Sequence, residues 1–261
     1  MSKTGLVTSE AVQFPSTSGP LLAGVIEIPE GPVKGWGVFS HGLTLGKDSP
    51  AASRISKGLA AAGIGMLRFD NLGLADSGGD WADSSFSLKV ADTVAATRFL
   101  AERGAPASLL VGHSFGGAAV LAAAEQCPDV TAIATVGAPY EPKHAEHNFQ
   151  EIAELVMDQG EAEWRIGGRE LTLRRGFIDD LRATDLPEVI GRLRKPLLIL
   201  HDPDDTMVPI TNAQEIFFEA THPRSFIDLD GAGHFLTGKG HAARAARIIA
   251  AWAESYLPAT A

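Results

Sequence analysis

A serine flanked by glycines lies at a predicted junction between a strand and a helix. The pentad 112–116, Gly-His-Ser-Phe-Gly, follows the apolar run 108–111 and opens a stretch with helical character over 114–126. A G-x-S-x-G spacing in this context is typical of a nucleophile elbow. The turn is so tight that we expect a strained backbone at Ser114 and no room for a Cβ at either glycine. The Ser114 hydroxyl would then project at a helix N-terminus, which favours developing negative charge.

A serine hydroxyl is a weak nucleophile at neutral pH, so Ser114 needs a general base, expected later in the chain. His234 has the most suitable context, because it lies in the glycine-containing loop 230–236 between the last predicted strand and the last helix. Loops that follow parallel strands lie at the edge of the sheet where ligands bind. His201, at the end of a strand, is the alternative. The remaining later histidines fall in turns, at a helix start or in an insertion: His144, His147, His222 and His241.

Three carboxylates follow the predicted strand 197–200 and compete to orient the base. Asp205 lies deepest in the loop, next to an apolar stretch that would anchor it inward. Asp202 and Asp204 flank a proline, where carboxylates commonly make hydrogen bonds within turns. Position in the loop favours Asp205 and leaves the other two open.

Two backbone amides are candidates for an oxyanion hole. The first is the N–H of Phe115, the residue after the proposed nucleophile. The second is expected from the loop after the strand 36–40, where Gly42 allows the backbone to turn inward. This predicts the N–H of Leu43 as the second donor.

Short apolar strands alternate with longer helices along most of the chain. The pattern predicts an α/β fold, with a mostly parallel central sheet flanked by helices on both faces. Two strands over 11–14 and 21–28, separated by turn residues, predict an antiparallel start. Further strands are predicted over 36–40, 64–69, 108–111, 133–136, 197–200 and 225–229, and helices over 51–62, 88–103, 114–126, 211–220 and 241–256.

The segment 140–194 interrupts this alternation. It contains an amphipathic stretch over 149–156, which predicts a helix, and two alternating stretches joined by Gly167 and Gly168, which predict a hairpin. Such an insertion predicts a small cap on a core formed by residues 1–139 and 195–261. Its large apolar side chains are candidates either to line an acyl pocket or to pack the cap onto the sheet: Phe149, Ile152, Val156, Trp164, Phe177 and Ile178.

Composition limits the class of protein. Of 261 residues, 45% are apolar and 21% charged, so the chain can bury a large core, which excludes wholesale disorder. A net charge of −10 disfavours binding to nucleic acid or to an anionic membrane surface. The single cysteine, Cys127, excludes an intramolecular disulfide. No apolar run approaches the ~20 residues of a membrane helix, and no apolar stretch near Met1 resembles a secretory signal. We therefore expect a soluble, cytoplasmic protein.

No cofactor or metal motif accompanies these residues. The chain lacks the glycine fingerprint of a dinucleotide site after a first βαβ strand, the P-loop pattern and H-E-x-x-H. The glycine-rich stretch 73–79 has neither the lysine nor the spacing for phosphate, and His144 and His147 have no third metal ligand nearby. We therefore expect neither a cofactor nor a metal.

The order of elements and motifs resembles the α/β-hydrolase superfamily. The matching features are His41-Gly42, the loop 70–79, the pentad, Asp205 and Gly233-His234. More narrowly, the chain resembles the hydrolase part of bacterial proteins that join an α/β hydrolase to an OsmC-like domain. These stretches are 47–49, 67–70, 112–119, 167–168 with 177–181, and 222–226.

The resemblance extends over about residues 13–257, and the chain ends where an OsmC-like domain would begin. We therefore expect a free-standing relative or part of a longer protein. The predicted hairpin also resembles that of bacterial feruloyl (cinnamoyl) esterases. In the family pattern the acid stands three residues before the valine of a Val-Pro pair, which implies Asp205. Asp202 departs from the pattern, because many relatives have glycine there.

The resemblance implies a serine hydrolase that cleaves small-molecule carboxylic esters through an acyl-enzyme. Ser114 would be the nucleophile, His234 the base and Asp205 the acid, with Leu43 and Phe115 forming the oxyanion hole. The small predicted cap favours small or aromatic acyl groups. Alternatives are a thioesterase, peptidase or perhydrolase with the same triad, or a non-catalytic binding protein of the same fold. The oligomeric state is left open.

Overall fold

Eight strands form one sheet in the computed structural model, which describes residues 7–258. They are β1 (Val7–Pro15), β2 (Leu21–Pro29), β3 (Gly35–Ser40), β4 (Ile64–Phe69), β5 (Ala107–His113), β6 (Ala132–Val136), β9 (Leu197–His201) and β10 (Arg224–Asp228). A separate hairpin contains β7 (Glu161–Ile166) and β8 (Arg169–Arg174). The sheet order is β1-β2-β4-β3-β5-β6-β9-β10. The first two strands are antiparallel to their neighbours, whereas all pairs from β4 to β10 are parallel.

Helices cover both faces of the sheet. They are α1 (Pro50–Ala61), α2 (Phe86–Glu102), α3 (Phe115–Ala123), α4 (Gln150–Gln159), α5 (Arg175–Ala183), α6 (Leu186–Arg192), α7 (Thr211–Glu219) and α8 (His241–Ala253). Successive residues of β3 point to opposite faces: Val38 joins the apolar cluster that contains α2 and α3, and Phe39 joins the one that contains α1 and α8. The predicted α/β fold with a mostly parallel sheet is therefore confirmed. No helix within residues 7–258 has the length and apolarity needed to cross a bilayer.

The strands and helices match their predicted ranges within a few residues, with three informative differences. The first strand is longer than predicted, because its polar N-terminal half pairs with β2 without an apolar alternation. The helix predicted over 114–126 begins at Phe115 and ends at Ala123, followed by a short 3-10 turn. The last helix ends at Ala253 rather than 256.

The insertion, residues 140–194, contains a 3-10 segment over Pro142–Asn148, then α4, the hairpin, α5 and α6. The predicted hairpin is present, and its turn residues Gly167 and Gly168 have φ values of 58° and 78°. Positive φ at both central positions is what a two-residue turn of matching twist requires. The hairpin therefore follows directly from the Gly-Gly pair.

The junction between β5 and α3 has no space for side chains at two glycines. A Cβ on Gly112 would lie 2.2 Å from the carbonyl oxygen of Gly116, and one on Gly116 would lie 2.1 Å from the carbonyl oxygen of Ser40. Both distances are far below van der Waals contact, and backbone atoms cannot move aside. The predicted exclusion of side chains at the two pentad glycines is confirmed.

We expect Gly116→Ala to destabilise the protein by more than about 4 kcal/mol, or to prevent folding, because backbone must move to admit the methyl group. Gly176→Ala is the matched control, since this glycine lies in α5 and a Cβ there meets nothing within 4 Å. The control should leave the protein as stable or stabilise it by up to about 1 kcal/mol. Urea unfolding checks both, and similar stability of the two variants would contradict the close-approach explanation.

Candidate active site

Three predicted side chains meet at the carboxyl edge of the sheet. Ser114 lies between β5 and α3, Asp205 follows β9 and His234 follows β10. His234 Nε2 is 2.9 Å from Ser114 Oγ, and His234 Nδ1 is 2.7 Å from Asp205 Oδ2. A carboxylate only accepts, so Nδ1 carries the proton and Nε2 is free to accept the serine hydroxyl. This is the tautomer that a general base requires.

The backbone at Ser114 is strained. Its φ and ψ are 54° and −127°, in a region that side-chain-bearing residues seldom adopt. Hydrogen bonds on both sides hold it there: Ser114 N–H donates to the Val136 carbonyl at 2.8 Å, and Gly117 N–H donates to the Ser114 carbonyl at 2.7 Å. The expected strained turn is present, and it explains why α3 begins only after Ser114.

Asp205 is held as a carboxylate facing His234. Burial raises the pKa of Asp205, but hydrogen bonds from His234 and from the backbone of Val208 and Met207 outweigh it, so the net shift is downward. The two backbone N–H groups donate to Oδ1 at 3.0 Å and 2.8 Å, which leaves Oδ2 for the histidine. The apolar stretch after Asp205 thus anchors it through main-chain donors.

The two rival carboxylates do not contact the ring of His234. Asp202 accepts a hydrogen bond from Gly233 N–H with one oxygen and from Asp204 N–H, at 3.1 Å, with the other. It therefore shapes the loop that carries His234. The side chain of Asp204 is exposed.

His201, the alternative base, faces a backbone carbonyl. Its Nε2 donates to the Val208 carbonyl at 2.8 Å and lies 3.7 Å from Asp205 Oδ2. The side chain is fully buried, and burial lowers its pKa. His201 thus braces the Asp205 loop from behind.

A buried histidine orients the peptide unit that carries the predicted second oxyanion donor. His41 Nδ1 donates to the Gly42 carbonyl at 2.8 Å, and its Nε2 accepts from Asn71 N–H at 3.2 Å. The Gly42 carbonyl and the Leu43 N–H belong to one planar peptide, so fixing the first fixes the direction of the second. Burial, followed by the nearby Lys89, lowers the pKa of His41 well below its usual value, which keeps the ring neutral. In the sequence, His41 is recognisable only as part of the His41-Gly42 motif, which gives no sign of this orienting role.

Buried charges hold the rest of this loop. Lys47 Nζ lies 2.8 Å from Asp70 and 2.5 Å from Asp76. The backbone N–H of Lys47 also donates to Asp70. Arg68 donates to Glu27 at 2.8 Å and to the Lys47 carbonyl at 2.9 Å. Some of these residues fell in the stretches that carried the family resemblance, but their role as a scaffold required the structure.

His113, in the pentad itself, positions His234 through the main chain. It is fully buried, and its Nε2 donates to the His234 carbonyl at 2.8 Å. The two imidazole centroids are 5.1 Å apart. Burial, and then the nearby His234, lower the pKa of His113 to about 4. His113 occupies a variable position of the G-x-S-x-G spacing, so the motif carries no signal for this role.

A cavity of about 240 Å³ opens beside Ser114 and His234. Both predicted oxyanion residues, Leu43 and Phe115, line it. Much of the remaining wall is apolar and comes from loops and from the hairpin: Leu45, Ala145, Ile166, Met207, Val208 and Phe235. Several of these residues lie close in sequence to the predicted site residues, and this proximity is the only feature of the sequence that points to them as cavity residues.

The predicted acyl-pocket residues do not line this cavity, and their contacts agree with the alternative prediction that they pack the cap onto the core. Phe149, Val156, Trp164 and Phe177 are buried, and Ile152 packs beside them in the same cluster. The rings of Trp164 and Phe177 lie 5.5 Å and 5.4 Å from that of Trp81, which belongs to a loop before α2. These side chains bury more apolar surface against one another and Trp81 than they would facing an open cavity.

Buried neutral histidines make stability depend on pH. The folded pKa of His113, about 4, lies below its ordinary value of 6.5, so the unfolded chain binds more protons between these values. Stability is full above about pH 6.5 and falls as the pH drops towards 4. From about pH 7 to about pH 5, His113 should account for a loss of roughly 2 kcal/mol.

Urea unfolding at the two pH values checks this prediction. His113→Asn should show a smaller loss of stability than the unaltered protein, whereas His147→Asn, at an exposed position, should show the same loss. An equal loss in all three proteins would contradict a buried neutral His113.

Comparisons with known proteins give the family. Residues 31–175 match the model described as serine aminopeptidase, S33. The esterase domain of a Rhodothermus marinus protein is 35% identical, with a TM-score of 0.78 over 96% of this chain and 100% of that one. Est1E from Butyrivibrio proteoclasticus, solved with ferulic acid bound, is 17% identical, with a TM-score of 0.78 over 94% and 99%. The α/β hydrolase GrgF from Penicillium sp. sh18 is 18% identical, with a TM-score of 0.78 over 96% and 99%.

At their low identity, Est1E and GrgF show the fold alone. A search of curated protein sequences gave no match. The family model covers more than half of the chain, and the Rhodothermus marinus domain is similar along nearly all of it. This chain therefore belongs to the S33 serine aminopeptidase family and has the α/β-hydrolase fold.

Proposed function

We propose that this protein is a serine hydrolase that cleaves carboxylic esters with small or aromatic acyl groups. The observation that carries the proposal is the hydrogen-bonded series Ser114, His234 and Asp205 beside a mainly apolar cavity. A series of this kind can activate a hydroxyl and then protonate a leaving alcohol. The esterase domain at 35% identity supports the same reading.

In this mechanism Ser114 Oγ attacks the ester carbonyl carbon while His234 Nε2 takes the hydroxyl proton. Asp205 keeps the ring oriented and stabilises the imidazolium that forms. The N–H groups of Leu43 and Phe115 donate to the oxyanion of the tetrahedral intermediate. His234 then protonates the leaving alkoxide, and water repeats the cycle on the acyl-enzyme.

The cavity lining favours a neutral ester over a peptide with a charged N-terminus. An aminopeptidase must bind an α-ammonium group, and a buried ammonium needs a carboxylate partner. Within residues 7–258 no Asp, Glu, Lys or Arg side chain lines the cavity beside Ser114. The ester reading therefore has the better electrostatic match, although the family is named for aminopeptidases.

The size of the cavity favours small or aromatic acyl groups. Pockets for drug-sized ligands span roughly 300–1,000 Å³, and this cavity of about 240 Å³ falls below that range. Residues 140–194 act here as a cap over the core, because Ile166 and Gly167 of the hairpin form part of the wall. A long acyl chain would have to displace this wall.

The unaltered protein should hydrolyse p-nitrophenyl acetate and butyrate and a feruloyl ester faster than an octanoyl ester, and should leave aminoacyl p-nitroanilides uncleaved.

The Ser114→Ala variant tests whether Ser114 is the nucleophile. The variant should lose turnover by roughly 10⁴-fold or more, because no other group can form the acyl-enzyme. A fluorophosphonate probe should label the unaltered protein at Ser114 and leave the variant unlabelled.

Ser56→Ala is the matched control, since Ser56 is fully buried in α1 and far from the triad in sequence. It should keep both activity and labelling. Retention of most ester turnover by Ser114→Ala would overturn the mechanism. Preference for the octanoyl ester would overturn the small-acyl assignment, and cleavage of the anilides would favour the peptidase alternative.

The two neighbouring aspartates provide a separate prediction about the acid. Asp205→Asn should lower kcat by about 10⁴-fold, because an amide cannot fix the productive tautomer of His234. Asp202→Asn keeps an oxygen that can accept the Gly233 N–H, so its effect on kcat should stay below about tenfold. Steady-state kinetics with p-nitrophenyl acetate compares the variants, and the reverse order of effects would assign the acid to Asp202.

A further inference from the structure

A second, smaller cavity lies beside the loop 41–46, which carries the candidate oxyanion donor Leu43 and which we call the oxyanion loop, and a buried lysine lines this cavity. Its volume is about 30 Å³, at least twice the roughly 10–15 Å³ that one water needs. It shares Leu43, Thr44 and Phe115 with the cavity beside Ser114, so the two are separated only by the loop and this ring. Lys89, from the first turns of α2, forms part of its wall. We call this space the Lys89 chamber.

The ammonium group of Lys89 has no ionic partner. Lys89 is 6% exposed, and its Nζ donates to Asn71 Oδ1. Among residues 7–258, no carboxylate oxygen lies within 4.0 Å of it. Asp92, a turn further along α2, accepts instead from Ser16 Oγ and the Thr17 N–H and does not line the chamber. A buried ammonium with a single neutral partner is costly unless something else compensates its charge.

Other polar groups around the chamber also lack partners. Asn71 is 7% exposed, and its Nδ2 makes no hydrogen bond; the same holds for Ser84 Oγ. Both residues line the chamber. The wall also includes Ser85, the N-cap of the 17-residue helix α2, whose dipole adds positive potential there. His41, which also lines the chamber, has both ring nitrogens already bonded.

This set of groups selects a particular ligand. An ammonium and an amide NH₂ are donors only, and a hydroxyl can donate as well. No carboxylate side chain lines the chamber within the described part of the chain, so a cation would find no ligands there. A ligand that accepts several hydrogen bonds and carries one negative charge would satisfy all three groups together.

We propose that the Lys89 chamber binds one small carboxylate group through Lys89 Nζ, Asn71 Nδ2 and Ser84 Oγ. The carboxylate can come from a free anion or from the far end of a short acyl chain whose ester carbonyl lies at Ser114. Leu43 and Phe115 border both cavities, so an acyl chain that reaches both sites must displace the Phe115 ring or the loop between them. The second source rests on the proposed esterase function, whereas the first does not.

The lowered pKa of Lys89 is consistent with an anion-binding site. Burial lowers the pKa of Lys89 to about 7, with Asp92 opposing the shift. A bound carboxylate would favour the protonated ammonium, as an adjacent opposite charge does elsewhere. Formation of the complex therefore needs no proton donor beyond bulk solvent.

Thermal unfolding with sodium formate tests the binding site itself. Formate should raise the Tm of the unaltered protein by about 3 °C in a saturable way, because it binds only the folded state. Lys89→Met should lose this response, and Ser84→Ala should weaken it. Lys34→Met is the matched control, since it removes the same charge from a partly exposed surface pair with Glu254 and should respond normally.

A pair of esters tests whether an acyl chain uses the site. The kcat/KM of the p-nitrophenyl monoester of adipic acid is compared with that of p-nitrophenyl hexanoate, which has the same length and no charge. The ratio should fall roughly 10- to 100-fold in Lys89→Met and stay constant in Lys34→Met. Turnover of the hexanoate should persist in Lys89→Met.

The outcomes separate the hypotheses. Equal Tm responses of the unaltered protein and Lys89→Met would show an ionic-strength effect and overturn the site. A Lys89-dependent Tm response with a constant ester ratio supports binding of a free carboxylate and overturns the acyl-chain source. A Lys89-dependent Tm response in a protein that cleaves neither ester supports the site and overturns the proposed esterase function.

Discussion

The close approach of Gly116 to the carbonyl of Ser40 is the constraint on which the candidate site depends. It brings the start of α3 against the end of β3, and so fixes the elbow relative to the loop that follows β3. Ser114 lies on one side of this contact, and Leu43 lies three residues beyond Ser40 on the other. Because Gly116 has no side chain, this one contact positions both the nucleophile and a candidate oxyanion donor.

Neutral histidines extend this rigid contact to the other groups. His41 holds the peptide before Leu43, and His113 holds the carbonyl of His234. Each is buried and each donates to a backbone carbonyl, so each keeps one tautomer. Protonation of either ring would place a positive charge in a buried position. The same burial that fixes these two rings therefore also lowers their pKa. Only His234, among these three, has a ring nitrogen facing Ser114.

The sequence predicted the sheet and the three central side chains because both follow from local rules. Apolar strands alternating with helices determine a parallel sheet, and the loops after β9 and β10 must then lie on the same edge as the elbow. Position in these loops favours His234 and Asp205, and the family resemblance was needed to prefer Asp205 over Asp202 and Asp204. The helix boundary at Phe115 was missed, because helical propensity continues through Ser114 while its backbone does not.

The role of the apolar residues in the insertion stayed open at the level of sequence, because residue type does not distinguish an apolar side chain that faces a cavity from one that faces another side chain. Trp164 and Phe177 pack on Trp81, which begins a short 3-10 turn (Trp81–Asp83) whose position no periodicity predicts. Lys89 is the converse case. A lysine in a helix is normally solvent-exposed. Only the structure shows that Lys89 is buried and that its Nζ donates to Asn71.

The insertion also contacts the loop that carries Leu43 directly. Arg169 on β8 donates to the carbonyl of Thr44 at 2.9 Å, and Thr44 has a φ of 54°. Ile166 and Gly167 of the same hairpin line the cavity. The hydrogen bond from Arg169 ties the hairpin to the loop that carries Leu43, the candidate oxyanion donor. The wall of the cavity and that loop are therefore held to each other by one side chain of the insertion.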